Sequence, residues 1–320
     1  MRKMLMWALL LCAVMMAPFS AAMGEEAMLT VKSGSFSAPL NATAIDLGDV
    51  SIQDNDVEYA ALDAFLSQLP DLTRVDMFAT DIPQNRLEAL AEKYPQIEFG
   101  WTIYIPCRNQ LRPERGAHRI RTDQTAFSTL HNISCTSHDE TVWRVLKYCK
   151  NLLALDVGHN NTLSDLSFLY DLPKLKVLIL SFNLHIDDIT PIGSLKDLEY
   201  LEICKNEVSD LSPLANCTQL VDLNICTNRV QDLTPLYGLE HLRRLYLMSC
   251  QNYSGNPISR SLWNEVKAAL PDCEVNNSTI NIGGTWKSHP RYDTLKEMFG
   301  FGNLSLQVIE QHYVPFSTLD

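Results

Sequence analysis

Apolar residues recur at a fixed interval through the middle of the chain. In the segment 198–217, Leu198, Leu201 and Ile203 alternate with variable residues, which is typical of a strand with one buried face. An asparagine follows each such run, and these residues, Asn160, Asn183, Asn206 and Asn228, are 23, 23 and 22 positions apart. This repeat predicts a solenoid, because one coil cannot bury its apolar edge alone and neighbouring coils must share a core.

A short polar arc follows the asparagine in every copy. The arcs are Asp165–Leu169, Asp188–Ile192, Asp210–Leu214 and Asp232–Leu236, and the last three contain proline. Proline fixes φ and has no N–H to donate, so these arcs cannot join a strand ladder. They predict a tight 3₁₀ or extended return path. The asparagine itself predicts a side-chain amide that bonds backbone groups where the chain turns out of the strand.

These features resemble the leucine-rich repeats of bacterial internalins, which have short coils. Four copies match, at 152–174, 175–197, 198–219 and 220–241, and a fifth begins at Leu242 with Cys250 at the asparagine position, a substitution that the family allows. The resemblance implies an α/β leucine-rich-repeat solenoid. Its parallel sheet is expected on the concave face, with short turns, 3₁₀ segments and helices on the convex face. One interior column is expected to contain Leu155, Leu178, Leu201, Leu223 and Leu245.

Longer, helical coils are predicted on both sides of this block. The apolar spacing predicts strands at 44–47 and 72–77 and helices at 54–69 and 84–94. A further helix is predicted at 139–148. Another helix is predicted to end at Pro271, and the string Leu270–Val275 leads from it into the next strand. Terminal repeats of a solenoid are expected to be atypical, because an end coil must cover the open core.

Residues 101–138 interrupt the period. Phe99–Ile105 is strand-like and Arg121–Thr129 is irregular, which we interpret as a strand pair or an excursion between coils. Helical coils, a strand containing Trp101, an Arg-Thr-Asp…Ala-Phe-Ser-Thr loop and short coils follow one another in this chain. That order resembles secreted leucine-rich-repeat proteins of Gram-positive bacteria, and the resemblance brings no established activity.

The tail contains aromatic residues and a short predicted helix at 293–299. We interpret it as a cap in which Trp286, Tyr292 and Phe299 shield the last coil, and a ligand site is the alternative. The predicted division of the chain is a signal peptide at 1–24, helical-type repeats at 25–100, an irregular insertion at 101–138, the repeat block at 139–275, and a C-terminal cap and tail at 276–320.

The first residues predict export. Met1-Arg2-Lys3 precedes an apolar run that ends near Phe19 and small residues at 20–24, which is typical of a signal peptide. The run is shorter than the ~20 residues that a spanning helix needs. An uncleaved anchor and lipidation at Cys12 are the alternatives. The expected location is secreted or at the cell surface, with no stable membrane span after signal cleavage.

The charge of the chain argues against nucleic acid as a partner. The sequence has 26 Lys and Arg against 38 Asp and Glu, a net charge of −12. Cleavage after residue 24 would remove two basic residues and no acidic residue, so the net charge would become −14. Nucleic-acid binding requires basic stripes. The one basic cluster, Arg108 to Arg121, predicts a solvated loop or a salt-bridged insertion.

Eight cysteines remain after the predicted cleavage. Three of them, Cys149, Cys217 and Cys273, occupy apolar repeat positions, which predicts small core residues. Cys204 and Cys226 occupy one repeat position in neighbouring coils. Neighbouring strands are ~4.8 Å apart, within reach of a disulfide, so this pair predicts either a strained bridge or two thiols on an exposed rim. A second candidate pair, Cys107 and Cys135, brackets the insertion.

The sequence contains no motif for catalysis, for a cofactor or for a metal. The nucleophile elbow, the P-loop, the dinucleotide fingerprint and zinc-type cysteine or histidine spacings are all missing from it. We therefore predict no catalytic residue, no cofactor and no metal ligand. The alternative is an enzyme whose site lies in the 101–138 insertion, where five polar residues could converge: Arg119, Arg121, Asp123, His131 and His138.

The concave face of the predicted sheet remains as a candidate binding surface. Strand residues between the buried ones point to the opposite side. On that side we predict the exposed, partner-binding residues Val177, Ile179, Tyr200, Glu202, Asp222, Asn224, Arg244, Tyr246 and Met248. Tyrosine and arginine are enriched at binding hot spots, which favours a protein or peptide partner. The alternatives are an ordinary solvated sheet and a structural or adhesion subunit of a cell surface.

Overall fold

The computed structural model describes residues 30–48, 50–52, 55–106, 117–128, 140–160, 162–247, 255–276 and 291–299. Several sequence-based predictions fall outside these ranges: the signal peptide, Cys12, Cys107, His131, Cys135, His138, Met248, Cys250 and Trp286. Within the described ranges, no helix is long and apolar enough to cross a bilayer.

The N-terminal part of the chain alternates short strands with two α-helices. Strands β1 (Thr30–Ser33) and β2 (Phe36–Pro39) form an antiparallel hairpin, and β3 (Ala44–Asp46), β4 (Arg74–Asp76) and β5 (Glu98–Gly100) form a parallel sheet. Helix α1 (Asp56–Leu66) joins β3 to β4, and α2 (Gln84–Lys93) joins β4 to β5. The predicted strands and helices of these coils are confirmed.

The hairpin of β1 and β2 is an element that the sequence pattern does not predict. Its turn uses Gly34 in the left-handed region, with φ +59°, and an added Cβ there would lie 3.0 Å from the Cβ of Ala61 on α1. The rings of Phe36 and Phe65 stack with centroids 5.7 Å apart. The hairpin therefore packs against α1 and covers the apolar side of the first helical coil.

The excursion between the helical coils and the repeat block begins with a strand pair. Strands β6 (Thr102–Pro106) and β7 (Ala117–Arg121) are antiparallel, which confirms the predicted pair. The next strand, β8 (Ala126–Ser128), lies in the segment predicted to be irregular, and that prediction is wrong. With only three residues, β8 is too short to show a strand period in the sequence.

Seven parallel strands form the main sheet, and they follow one another in chain order. After β8 come β9 (Ala154–Asp156), β10 (Val177–Ile179), β11 (Tyr200–Glu202), β12 (Asp222–Asn224), β13 (Arg244–Tyr246) and β14 (Glu274–Asn276). Their middle residues pair in register: Leu155, Leu178, Leu201, Leu223 and Leu245, all fully buried. The predicted interior column and the α/β solenoid are confirmed.

The return paths on the other side of the coils are short 3₁₀ helices, as predicted. They span Ser167–Asp171, Thr190–Ser194, Ser212–Asn216 and Thr234–Leu236. An aspartate lies two residues before the first residue of each, and its carboxylate accepts that residue's backbone N–H at 2.8–2.9 Å. Hydrogen bonds from Ser167, Thr190 and Thr234 lower the pKa of the aspartates at 165, 188 and 232.

The helix predicted at 139–148 is confirmed, and it is a 3₁₀ helix that spans Glu140–Tyr148. Its buried residues Trp143 and Leu146, and Cys149 just beyond it, are three positions apart. That spacing matches the three residues per turn of a 3₁₀ helix. The α-helix closed by Pro271 is confirmed as α3 (Arg260–Ala269), and Ser259 Oγ caps it by accepting from Leu262 N at 3.1 Å. The last described helix is α4 (Tyr292–Phe299).

Buried asparagines hold successive coils together at the turn out of each strand. Asn206 Nδ2 donates to the carbonyl of Ile203 in its own coil (2.9 Å) and to that of Leu180 in the preceding coil (3.0 Å). Asn256 repeats this arrangement, donating to Leu247 (2.6 Å) and to Ile225 (2.8 Å). Asn256 thus provides the amide in the coil where the sequence predicts Cys250, a residue outside the described ranges.

One apolar cluster runs through the coils from Phe36 to Cys273. The helical coils and the repeat block therefore share a core, and the predicted boundaries at 100 and 138 fall within it. Whether residues 100 and 138 are also domain boundaries stays a prediction.

Candidate binding surface on the parallel sheet

Helix α4 lies against the face of the main sheet that points away from the leucine column. This is the face that the sequence analysis calls concave, and we call it the outer face. Its Leu295 and Phe299 are buried, 0% and 5% exposed. They pack in one cluster with five residues of the sheet side: Ala154, Val177, Ile179, Tyr200 and Val221. Partly buried Ala126 and Met298 pack against the same cluster. The sheet face is therefore an apolar surface that holds a helix.

A buried ion pair joins the start of α4 to the centre of the sheet. Arg291, one residue before α4, has its Nε 3.2 Å from Asp222 Oδ2. The other carboxylate oxygen of Asp222 accepts from Arg244 Nη1 at 2.9 Å. The side chains of Arg291 and Asp222 are 2% and 1% exposed. Each carboxylate oxygen of Asp222 thus accepts from its own guanidinium. These two contacts offset the free-energy cost of burying the charge.

Other acidic side chains on this face are also bonded within the chain. Glu202 Oε1 accepts from Ser181 Oγ at 2.9 Å, and Glu202 Oε2 accepts from Tyr200 OH at 3.0 Å. Asp156 Oδ1 accepts from Gly158 N at 3.0 Å. These hydrogen bonds fix the orientation of the side chains that line the face.

A second small cluster lies towards the carboxyl ends of the strands. It contains Cys204, Cys226 and Tyr246, with Phe182 packed against it. Burial raises the pKa of Tyr246 to about 12, and the charge of Asp222 adds to this effect. Both cysteines are fully buried, and no disulfide joins them. The exposed rim predicted for these two thiols is therefore wrong, and they are packed as small apolar residues.

The structure corrects the sequence analysis on one property of the predicted partner-binding residues. The sequence places them on the outer face of the sheet, and the strand register agrees. However, the expectation that they are exposed is wrong: Val177, Ile179, Tyr200, Glu202, Asp222, Asn224 and Tyr246 are buried, and the side chain of Arg244 is 13% exposed. Met248 lies outside the described ranges. Their role in binding a partner stays a prediction.

The sequence analysis predicts the helix α4 but misses its contact with the sheet. A helix was predictable at 293–299, but its expected place was the last coil, at β14. It lies instead over β8 to β12, where Phe299 and Leu295 contact the sheet. A weak signal was present, because Arg291 precedes the apolar helix and the outer face contains several acids. Sequence alone gives no distance between such groups.

Three residues at the same repeat position, His159, Phe182 and Lys205, lie in the turns that follow β9, β10 and β11. The rings of His159 and Phe182 are stacked, with centroids 4.7 Å apart and an interplanar angle of 8°. Lys205 Nζ lies 4.6 Å from the centroid of Phe182. All three have positive φ, between 56° and 62°. Burial and the charge of Lys205 lower the pKa of His159.

The described part of the 101–138 segment brings together two of the five residues of the enzyme alternative. Arg121 pairs with Asp123 at 2.7 Å, and its guanidinium lies over the ring of Phe78. The guanidinium of Arg119 lies over the ring of Tyr104. Within the described ranges, no group of three or more His, Cys, Asp or Glu side chains could hold a metal ion.

Comparison with known proteins identifies the repeats. A family model described as leucine-rich repeats, two copies, matches residues 173–216. No curated protein sequence matches the chain significantly.

Solved structures of repeat proteins resemble the chain at low identity. Internalin C2 of Listeria monocytogenes is 21% identical, with a TM-score of 0.39, and the match covers 74% of this chain and 80% of that one. A second internalin of the same species is 18% identical, with a TM-score of 0.35 and coverage of 76% and 70%. A leucine-rich-repeat protein of Leptospira interrogans is 20% identical, with a TM-score of 0.36 and coverage of 66% and 50%.

Proposed function

We propose that this chain, a leucine-rich-repeat protein, is an exported binding module that holds a protein or peptide partner on the outer face of its main sheet. The observation that supports this most directly is α4, because the face already holds a peptide segment. It does so with the apolar cluster around Leu295 and Phe299 and with the buried contact between Arg291 and Asp222. A partner would use the same chemistry.

The composition of the face supports a protein partner over a small molecule or a nucleic acid. Tyr200, Tyr246 and Arg244 are of the residue types most often found at binding hot spots. The net charge of the chain, −12, disfavours a phosphate backbone as partner. An apolar centre beside paired charges is the usual arrangement of a peptide-binding surface.

Export rests on the N-terminal sequence. A basic start, an apolar run and small residues at 20–24 would direct the chain out of the cell and be removed. The mature chain would then act as a secreted or cell-surface protein. Its location is tested by N-terminal sequencing of the protein recovered from the medium or the envelope of its own host, and a chain that still begins at Met1 inside the cell would contradict export.

The binding function is tested by capture from the native extracellular milieu with the mature chain as bait, followed by titration of the captured protein. Changing Tyr200→Ala or Tyr246→Ala should weaken the affinity roughly tenfold or more, because aromatic anchors dominate such interfaces. The matched control is Tyr170→Ala, since Tyr170 is 55% exposed on a 3₁₀ helix away from the sheet. Thermal melting confirms that each variant is folded. Equal affinity for all three variants would refute the proposed surface.

A further inference from the structure

We propose that α4 is a displaceable internal ligand of the sheet face, and that the partner is a short amphipathic helix of the same chemistry. Such a helix has an arginine one turn before a leucine and two turns before a phenylalanine. This inference rests on the proposed function, because it names the class of partner and adds a mechanism that controls access to the surface.

The spacing of the contacts shows that α4 binds with one face. Arg291, Leu295 and Phe299 are separated by four residues each, so they lie along one side of the helix. All three are buried, whereas Asp293 is exposed. A single apolar stripe led by one cation is the pattern by which a helix binds in a groove. The same pattern on another protein would fit the same face.

The solenoid core is complete without α4. The cluster that contains the leucine column extends from Phe36 to Cys273 and includes none of the α4 residues whose side chains the structure describes. Leu295 and Phe299 belong to a separate cluster with the outer-face residues of the sheet. Removal of α4 would therefore uncover the sheet face and leave the leucine column packed.

The helix is too short to persist on its own. It has eight residues, and isolated helices of fewer than about 12 residues are marginal in water. Its helical form therefore depends on contact with the sheet, so undocking and unfolding of α4 are coupled. A segment of this kind opens more easily than the strands beneath it.

The ion pair defines what a competitor must provide. Asp222 is buried, and its Oδ2 accepts from Arg291. A partner that displaced α4 without a cation would leave this oxygen without that guanidinium, at a cost in free energy. Arginine suits this buried pair better than lysine, because a guanidinium is more weakly hydrated than an ammonium and loses less on leaving water.

The short connection between β14 and α4 favours docking of α4 over binding of a free peptide. Residues 277–290 join Asn276 to Arg291. A connection of this length gives a tethered segment an effective concentration on the order of millimolar. A free peptide therefore competes poorly with docked α4, and the surface becomes accessible when the contact of α4 with the sheet is weakened.

The test measures binding of a labelled peptide with the sequence of residues 287–301 to the mature full-length chain. The variant Leu295→Asp should bind this peptide at least roughly tenfold more tightly than the wild type, because α4 no longer occupies the face. Asp293→Asn, at an exposed position of the same helix, is the matched control and should bind like the wild type. The peptide with Arg291→Ala should lose roughly tenfold or more in affinity for the Leu295→Asp chain.

Hydrogen exchange gives a second measurement that needs no substitution. The amide of Leu295 bonds to the carbonyl of Arg291 at 2.9 Å. In the wild type it should exchange at least roughly a hundredfold faster than the amides of β11, as expected for a segment that opens locally. Equal protection of α4 and β11, or a folded Leu295→Asp chain that binds the peptide no better than the wild type, would overturn the proposal.

The outcomes separate this inference from the proposed function. If the peptide binds as expected but no extracellular protein competes with it, the proposed binding of an extracellular partner is refuted and the docking of α4 as an internal ligand is supported. If a captured partner binds the wild type and the Leu295→Asp chain equally, the role of α4 as a displaceable ligand is refuted and the proposed binding function is supported. A wild-type chain that forms dimers by exchange of α4 between two copies would also overturn the internal ligand.

Discussion

The side-chain amides of the repeat asparagines satisfy backbone carbonyls that no strand or helix can reach. Asn206 connects the carbonyls of Leu180 and Ile203, which belong to two different coils. Asn228 does the same one coil further on, for Ile203 and Ile225 at 3.0 and 3.1 Å. Because a buried carbonyl without a donor costs free energy, each amide contributes to the contact between two coils as well as to its own turn.

The substitution Asn206→Ala should lower the free energy of unfolding by about 1–3 kcal/mol, because it removes two buried hydrogen bonds, one to Ile203 and one to Leu180. Urea unfolding followed by circular dichroism measures the change. The matched control is Asn216→Ala, at an exposed position of a 3₁₀ helix, which should change the stability by about 0.5 kcal/mol or less. Equal effects of the two substitutions would contradict a structural role for the amide.

The stacked side chain of His159 makes the stability depend on pH. Burial and Lys205 lower its pKa in the folded state, whereas the unfolded chain has the ordinary value of 6.5. A histidine with a lowered pKa is neutral when folded and binds a proton more readily when unfolded. Its contribution is therefore complete above pH 6.5 and is lost as the pH falls through the folded pKa.

We expect the urea midpoint of the wild type to fall more between about pH 7.5 and about pH 5 than the midpoint of His159→Phe. Phenylalanine keeps the ring against Phe182, and Phe182 itself shows that this residue tolerates the positive φ of this repeat position. Comparison of the two chains cancels the titration of the remaining acids. Parallel pH dependence in both would show that His159 does not titrate as proposed.

At the level of elements, the repeat strands are predictable because each has a leucine at its centre and alternating neighbours. A strand of three residues such as β8, without a repeat copy to align it, gives no such pattern. The segment Glu140–Tyr148 shows that an apolar pattern can predict a helix without specifying its type. Residues 143, 146 and 149 follow the three-residue period of a 3₁₀ helix.

The candidate surface shows a different limit of sequence reasoning. Alternation along a strand determines which side chains leave the core, and the register of β10 to β13 confirms that assignment. Whether those side chains meet water depends on a segment far away in the chain. Arg291 and Asp222 are 69 positions apart, and no local pattern connects them. The face was therefore predictable, and its occupation by α4 was not.

In the whole molecule, the two parallel sheets are joined through the residues between β5 and β8. Thr122 Oγ1 accepts from Trp101 N at 3.1 Å and donates to the carbonyl of Phe99 at 3.3 Å. Trp101 is buried and packs its ring 4.9 Å from that of Tyr148. These contacts continue the core across the interruption of the repeat, so the coils before and after it are expected to stabilise each other.

A stack of coils is expected to open from its end, because each coil interacts only with its neighbours. Cys273 lies in the last described coil of the stack, next to β14, which among the described strands pairs only with β13. Cys217 lies between β11 and β12, with coils on both sides. Burial raises the pKa of Cys217 to about 11 and that of Cys273 to about 12, so neither thiol reacts until its coil opens.

We therefore expect iodoacetamide to label Cys273 before Cys217 in urea below the unfolding midpoint, with the two sites quantified by mass spectrometry of their peptides. Opening of the end coil breaks one interface between coils, whereas exposure of Cys217 requires the loss of several. In urea above the midpoint the two thiols should react at the same rate, which is the internal control. Identical rates at every urea concentration would mean that the solenoid opens only as one unit and that its end coil has no separate stability.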